Sequence, residues 1–195
     1  FFKYSDGSDP ESGVFTNKSG LVDVFQKQLR LRVTGTSNDA AIMIAQEARG
    51  RFDFYSLLTI PTGPSTNNWV TRFQAYIDAN NWFSIGRHYT NGVHYIVAES
   101  AVGGVYGSTP ATSSATTVYL WLYRFNNTAN MYYSTNGTSW TLLRNVTNMS
   151  AAPARVMFYL GNSVNKPTVD VRYDDLHIVN KYFNDNKVLF PITAR

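Results

Sequence analysis

The most informative residues in this sequence are aromatic side chains that alternate with aliphatic ones, because this pattern can present a binding surface. Residues 118–125 alternate strictly between two sets, and on a β-strand each set shares one face. The aromatic set consists of Tyr119, Trp121, Tyr123 and Phe125. Trp and Tyr can stack on the apolar face of a sugar ring while polar neighbours bind its hydroxyl groups. The stretch predicts either a sugar-binding surface or an aromatic layer covered by loops or by a neighbouring subunit.

A second stretch, 82–88, places an aromatic residue beside polar side chains. Trp82 and Phe83 take opposite parities at its start, and Arg87 and His88 end it. Arg and His can donate hydrogen bonds to hydroxyl groups. From the two stretches together we predict a ligand-binding platform of Trp82, Arg87, His88, Tyr119, Trp121 and Tyr123.

The carboxylates argue against hydrolysis of a glycosidic bond. That chemistry needs two carboxyl groups about 5 to 9.5 Å apart across the bond. The three glutamates, Glu11, Glu47 and Glu99, are far apart in sequence. Asp174 and Asp175 are adjacent, so a regular strand would point them to opposite faces. We therefore predict that the chain is not an enzyme.

The three histidines could in principle form a site. His88 and His94 flank the dipeptide Asn91-Gly92, a strong hairpin signal, and could face each other across that hairpin. Metal binding would also need a carboxylate close by. Polar histidines on the surface, His177 included, are the favoured interpretation.

Composition limits the class of protein. The chain has 195 residues, which fits one large β-sandwich, and it has no cysteine, which excludes disulfides. Charged residues make up 15% and give a net charge of +4, but no basic run reaches the density of a nucleic-acid-binding arm. No apolar run approaches the roughly 18 residues of a membrane helix. We predict no nucleic-acid partner and no membrane span.

Turn signals divide the chain into about eleven or twelve short strands, a spacing typical of a sandwich or barrel. Asn136-Gly137 predicts a second hairpin. Residues 40–49 are the one stretch that could form a helix, and the Gly-, Ser- and Thr-rich residues 100–116 predict a long loop or a weak edge hairpin. Residues 187–192 could add a last strand.

These elements predict one all-β domain, a two-sheet antiparallel jelly-roll sandwich over residues 21–180. Residues 1–20 form a polar leading segment in this scheme, and residues 181–195 form a C-terminal extension or a last edge strand.

Three motifs resemble the concanavalin A-like lectin and glucanase superfamily, especially its laminin-G-like and secreted bacterial branches. They are YIDANNWFSIGR at 76–87, VYLWLYR at 118–124 followed by MYYSTNGTSW at 131–140, and VDVRYDDLHIV at 169–179. They occur in the right order within residues 76–179, a stretch of roughly half of the chain. The resemblance implies a concanavalin A-like jelly roll, a fold that hosts lectins, glycosidases, adhesion modules and virion proteins.

The resemblance also bears on catalysis and on calcium. The hydrolase branch usually has a Glu-x-Asp-x-Glu motif on one strand, and that motif is absent here. Lectins and laminin-G-like modules often bind calcium through Asp, Asn and backbone oxygens. Asp174 and Asp175 are the predicted calcium ligands, and the turn residues 78–81 are further candidates, although turn chemistry explains them equally well.

The first functional hypothesis is a recognition module without catalytic activity, which binds a glycan or a surface polymer through exposed aromatics. The alternative is a virion or appendage subunit, such as a phage decoration or fibre protein, that uses the jelly roll for assembly with virion neighbours or as a homo-oligomer. A glycoside hydrolase is the least favoured. All three predict an extracellular, cell-surface or virion location.

Overall fold

The computed structural model describes residues 15–34, 38–62, 65, 68–162 and 168–180. These residues form fourteen strands in two seven-stranded antiparallel sheets. The predicted all-β, two-sheet antiparallel sandwich is therefore confirmed. None of the described residues belongs to a helix that could span a membrane.

The first sheet, called sheet A, has β1 at one edge and β9 at the other. In spatial order it consists of β1 (Phe15–Ser19), β4 (Asp39–Ile44), β13 (Arg155–Asn162), β6 (Trp69–Asp78), β7 (Asn81–Thr90), β8 (Val93–Val102) and β9 (Val105–Thr112).

The second sheet, called sheet B, packs against the first. In spatial order it consists of β12 (Thr141–Val146), β11 (Thr128–Ser134), β10 (Thr117–Phe125), β5 (Phe52–Thr62), β14 (Val169–Asn180), β3 (Gln28–Val33) and β2 (Leu21–Phe25). Neighbours along the chain often lie in different sheets, so the chain crosses repeatedly between them.

Alternation of side chains builds the core between the sheets. In β10 the aliphatic set, including Leu120 and Leu122, is fully buried, and the aromatic set points outward and is partly exposed. Each such Leu stabilises the fold by about 1.5–3 kcal/mol on burial. Across the sandwich, the Tyr173 hydroxyl lies 2.6 Å from Thr71 Oγ1, which satisfies two buried polar groups and ties β14 to β6.

Two predicted elements differ from the structure. Residues 40–49, the candidate helix, begin with β4, because the apolar residues there pair with β13 and β1 in sheet A. Residues 100–116 form the end of β8 and the edge strand β9, so the edge hairpin is confirmed over the long loop. Gly103 and Gly104 both have positive φ in its turn, a conformation that glycine adopts without steric cost.

The described part of the predicted leading segment, residues 15–19, forms β1 at one edge of sheet A. Residues 181–195, including the predicted strand at 187–192, lie outside the described residues.

Candidate functional site

The structure distributes the six predicted platform residues over three environments. Trp82 and His88 lie on the outer face of sheet A. Arg87 points the other way, into the sandwich, and is only 2% exposed. Successive residues of a strand point to opposite faces, so Arg87 and His88 cannot serve the same surface.

The remaining three residues, Tyr119, Trp121 and Tyr123, lie on the outer face of sheet B. They are therefore on the opposite side of the molecule from Trp82. The structure does not assemble the six residues into one platform, and it offers two separate outer faces instead.

The outer face of sheet B is an aromatic layer in which the rings contact one another. We call it the aromatic face, and its rings are Tyr55, Tyr119, Trp121, Tyr132 and Trp140. Trp121 stacks on Tyr132 at 4.8 Å between centroids, and its Nε1 donates a 3.0 Å hydrogen bond to Asp53. Its polar handle is therefore already satisfied within the protein.

Trp140 covers this layer from the segment between β11 and β12. Its ring meets Trp121 and Tyr55 edge-on, at 5.4 and 5.7 Å between centroids. Asn136 Oδ1 accepts hydrogen bonds from two later backbone N–H groups, which shapes the turn that leads to Trp140. The loop-covered aromatic layer, one of the two alternatives predicted from sequence, describes this face.

The outer face of sheet A carries polar side chains where its strands pair. We call it the polar face. Gln74, Ser84, Glu99 and Ser108 lie directly opposite one another across β6, β7, β8 and β9. Gln74 and Glu99 are only 5% exposed and Ser84 is fully buried, although all three point away from the core. Their burial therefore requires other side chains on the outer face to shield them from solvent.

The side chain of Arg72 lies across this part of the face. Arg72 stands on β6, and its Nε and Nη2 donate hydrogen bonds to the two carboxylate oxygens of Glu99 on β8. The side chain thus crosses over β7, where its direct partner is Gly86. Gly86 has no side chain to obstruct the crossing, and an added Cβ would lie 1.8 Å from the Thr71 carbonyl oxygen.

Aromatic rings enclose the arginine–glutamate pair. The Arg72 guanidinium carbon lies 5.6 Å from the centroid of Trp82 and 5.4 Å from that of Tyr159. Such distances allow cation–π attraction on both sides. Tyr106 on β9 donates its hydroxyl hydrogen to Glu99 and has its ring 6.3 Å from Trp82. Tyr106 is 57% exposed, so this rim is open to solvent.

The network determines the charges on the face. Burial opposes ionisation of Glu99, but the hydrogen bonds and charge of Arg72 outweigh it and lower the pKa of the carboxyl group. Burial opposes the charged form of Arg72 as well, and Glu99 nevertheless raises its pKa. Burial lowers the pKa of His88 on the same face, so His88 favours its neutral form. The face presents an ion pair beside a neutral imidazole.

The other predicted ligands are dispersed. His94 is partly exposed near the start of β8, 4.5 Å from Tyr89 between ring centroids, and His177 lies on the aromatic face against Tyr55. The structure therefore does not bring the three histidines together. Within the described ranges, no group of three or more His, Cys, Asp or Glu residues could hold a metal ion.

The predicted calcium ligands lie at a bulge of β14. Asp175 has a φ of 47°, and the register with β5 shifts between Asp174 and His177. Both Asp174 oxygens already accept hydrogen bonds, from Gln28 and from the Asp175 backbone. Calcium takes six to eight oxygen ligands, so these two carboxylates would need several further donors. The calcium site stays a prediction from sequence.

Sequence analysis missed most of the polar face. Arg72, Tyr106 and Tyr159 were not among the candidate residues, and Glu99 was considered only as an isolated acid. The outward parity of Arg72 and Gln74, opposite the apolar Phe73, was a usable signal. The contact between Arg72 and Glu99 was not visible, because it depends on which strands are neighbours.

No protein-family model and no curated protein matches this sequence. Solved structures do match it. A legume lectin-like domain from Entamoeba histolytica has a TM-score of 0.64 at 10% identity, over 86% of this chain and 90% of that chain. A glycoside hydrolase family protein from Mycobacterium thermorestibile has a TM-score of 0.67 at 9% identity, over 91% and 98%.

A GH43 protein from Bacillus licheniformis matches with a TM-score of 0.62 at 13% identity, over 78% of this chain. The matching part is only 33% of that longer chain. At these identities the comparisons establish the fold, and they confirm the predicted concanavalin A-like jelly-roll sandwich.

The comparisons correct one prediction. The chain was predicted not to be an enzyme, and that prediction is wrong as it stands, because several of the similar structures are GH43 or other glycoside hydrolase family proteins. The prediction relied on a missing carboxylate motif, and an absent motif does not separate the members of a fold that hosts both lectins and hydrolases.

Proposed function

We propose that this protein binds a carbohydrate on the polar face. The observation that supports the proposal is the Arg72–Glu99 pair, held on an outward sheet face between the rings of Trp82 and Tyr159. A charged pair that is mostly shielded from water yet directed away from the core suits a ligand-binding floor better than a solvated surface.

The chemistry of this floor matches a sugar. Trp82 and Tyr106 offer ring surface for the C–H face of a pyranose. Arg72 uses Nε and Nη2 on Glu99, which leaves its Nη1 to donate to a hydroxyl group. A sugar hydroxyl can accept the hydrogen bond that Arg72 Nη1 offers, whereas Ser84 lies fully buried and does not reach the ligand.

The floor is also preorganised. Glu99 fixes the guanidinium of Arg72, and Tyr106 fixes Glu99, so little side-chain freedom is lost on binding. The similar solved structures named as lectin-like or as glycoside hydrolases support a carbohydrate ligand. The proposal places the protein where glycans are exposed, at a cell surface or outside the cell.

The experiment is a binding screen against a glycan array and soluble polysaccharides, followed by calorimetry on the best ligand. Xylan belongs in the panel, because one similar structure is a xylan β-1,4-xylosidase. The key variant is Trp82→Ala and its matched control is Trp121→Ala, since each removes one tryptophan from one outer face. We expect Trp82→Ala to weaken binding about 30-fold or more, the loss typical of a central aromatic contact. Trp121→Ala should change affinity less than about twofold.

A cleavage assay on the same ligand accompanies the binding assay. Release of new reducing ends by the wild type, lost in Glu99→Gln, would extend the proposal from binding to hydrolysis at this face. Binding without release would limit it to recognition. Affinity lost in Trp121→Ala and kept in Trp82→Ala would overturn the assignment to the polar face.

A further inference from the structure

Among the described residues, two arginines are buried in the sandwich, and they differ in their hydrogen-bond partners. Arg87 is 2% exposed and Arg124 is fully buried, and both point inward from their strands. Burying a guanidinium costs several kcal/mol unless its charge and its donors are compensated. A comparison of the partners of the two side chains shows where compensation is incomplete.

Arg124 is compensated by backbone carbonyls. Its Nε donates to Asn126 at 2.8 Å, its Nη1 donates to Ala152 at 3.0 Å, and its Nη2 donates to Ser150. Its charge also lies 5.6 Å from the Phe52 ring centroid. All three nitrogens are therefore satisfied, and Arg124 serves to fasten the segment that follows β12.

Arg87 has only one such contact. Its Nη2 donates a 2.8 Å hydrogen bond to the Ser113 carbonyl, while its Nε and Nη1 are buried without a hydrogen-bond partner in the part of the chain that the structure describes. No ion pair to Arg87 occurs among the described residues. Burial lowers its pKa to about 10, and no neighbouring carboxylate opposes that shift.

The surroundings of Arg87 form one end of the sandwich. Thr71 and Ile96 are its direct partners on the neighbouring strands. Tyr89, two residues further along β7, packs on Trp69 and His94. The segment that joins β9 to β10, which includes Ser113, closes this end over the guanidinium.

We propose that the protein binds a small monovalent anion, chloride or a carboxylate, against Nε and Nη1 of Arg87 at this end of the sandwich. The two unpartnered nitrogens supply the donors, and the single positive charge supplies the attraction. One negative charge balances it, whereas a divalent oxyanion would leave an uncompensated charge in a region of low dielectric constant. The site is separate from the polar face, because Arg87 points to the other side of sheet A.

The first test measures thermal stability in chloride, acetate and sulfate at matched ionic strength. The variant is Arg87→Met, which keeps an unbranched apolar chain in place of the aliphatic part of arginine and removes the guanidinium, and the control is Arg124→Met. We expect the wild-type Tm to rise with the logarithm of chloride or acetate concentration, by roughly 5 to 10 °C at about 100 times the dissociation constant. Arg87→Met should lose this specific rise, and Arg124→Met should keep it on a lower Tm.

General salt effects act on all three proteins alike, so the difference between wild type and Arg87→Met isolates the site. The larger rise identifies the anion: acetate points to a carboxylate ligand and chloride to the halide. Sulfate should give no rise beyond that of Arg87→Met. Equal responses of wild type and Arg87→Met to all three salts would overturn the proposal.

A direct measurement on the wild-type protein does not depend on the folding of a variant. Crystals of the wild-type protein grown or soaked in bromide should show an anomalous peak within hydrogen-bond distance of Arg87 Nε or Nη1. His94 gives a second readout, since the charge of Arg87 and burial both lower its pKa. An anion at Arg87 should raise the pKa of His94 in an NMR titration. Crystals without the bromide peak, together with an unchanged His94 pKa, would also refute the site.

Discussion

The two outer faces of this sandwich both carry aromatic rings, but the rings have different neighbours on each face. On the aromatic face, the ring of Trp121 packs against Tyr132 and Trp140, and its indole N–H donates a hydrogen bond to Asp53. On the polar face, the rings flank an ion pair in which Glu99 uses Nε and Nη2 of Arg72 but not its Nη1. The first arrangement is closed and the second is open to a ligand.

The number of aromatic rings on a face does not by itself identify a binding face. The aromatic face has more rings, and sequence alternation alone favoured it equally. What separates the faces is whether polar groups remain to be satisfied. A ring packed against other rings contributes to stability, whereas a ring beside unsatisfied donors contributes to recognition.

The largest expected effect is on the stability of the aromatic face. Trp121→Ala removes a stacked ring, an edge contact and a hydrogen bond, and should lower the free energy of unfolding by about 3 kcal/mol. Trp82→Ala, on the open face, should cost about 1 kcal/mol. Denaturant unfolding of both variants measures the difference. Similar losses for the two would contradict the distinction between a closed and an open face.

The next largest effect is expected from the substitution that breaks the ion pair of the polar face. Glu99→Gln leaves Arg72 partly buried beside a neutral group and should lower the free energy of unfolding by about 1–2 kcal/mol. Carbohydrate affinity should fall as well, since Arg72 loses its fixed position. Unfolding curves and calorimetry on one preparation give both values. Asp53→Asn serves as the control on the aromatic face, and it should leave carbohydrate affinity unchanged.

A smaller effect is expected from the rim. Tyr106→Phe keeps the ring over Trp82 and removes only the hydroxyl that donates to Glu99. The free energy of unfolding should fall by about 0.5–1 kcal/mol, because the site is partly open to water. Stacking should persist, so affinity should drop only a few-fold. A loss of affinity as large as that of Trp82→Ala would show that the hydroxyl, and not the ring, is the main contact.

The smallest effect is the dependence of stability on pH. The pKa of Glu99 is lowered in the folded state, so its contribution is complete above the unfolded value of about 4.5 and is lost as pH falls through the folded pKa. The pKa of His88 is also lowered, so the unfolded chain binds its proton first and stability declines below about 6.5.

Unfolding curves from pH 8 to pH 3 separate the two groups. Glu99→Gln should flatten the acidic part of the profile, and His88→Gln should flatten the part near pH 6. A profile that is identical in both variants and the wild type would mean that neither group differs between the folded and unfolded states.

Some of this structure could be predicted because its causes are local. The strict alternation at 118–125 correctly placed Leu120 and Leu122 in the core and Trp121 outside, since parity along a strand follows from backbone geometry. The hairpins at Asn91-Gly92 and Asn136 followed from the conformational freedom of their turn residues. The same parity already separated Arg87 from His88, although the predicted platform joined them.

Other features required the sheets to assemble. The stretch 40–49, which could have formed a helix, begins with β4 instead, because pairing with β13 outweighs local preference. Tyr106 reached the polar face only because its glycine-rich segment became β9 beside β8. Nothing in the order of residues indicates that a tryptophan at 82 and one at 121 belong to different sheets.

The sequence by itself determined the all-β class, the parity of each strong strand and the turns between them, because these depend on neighbouring residues and on the two-residue period of a strand. Only the tertiary structure decided which strands are neighbours. That order lets Arg72 reach across Gly86 to Glu99 and places Trp82 and Trp121 on opposite outer faces. It also leaves Arg87 buried without a counter-charge among the described residues. Contacts between residues distant in sequence depend on the whole set of strand pairings, and no local pattern encodes them.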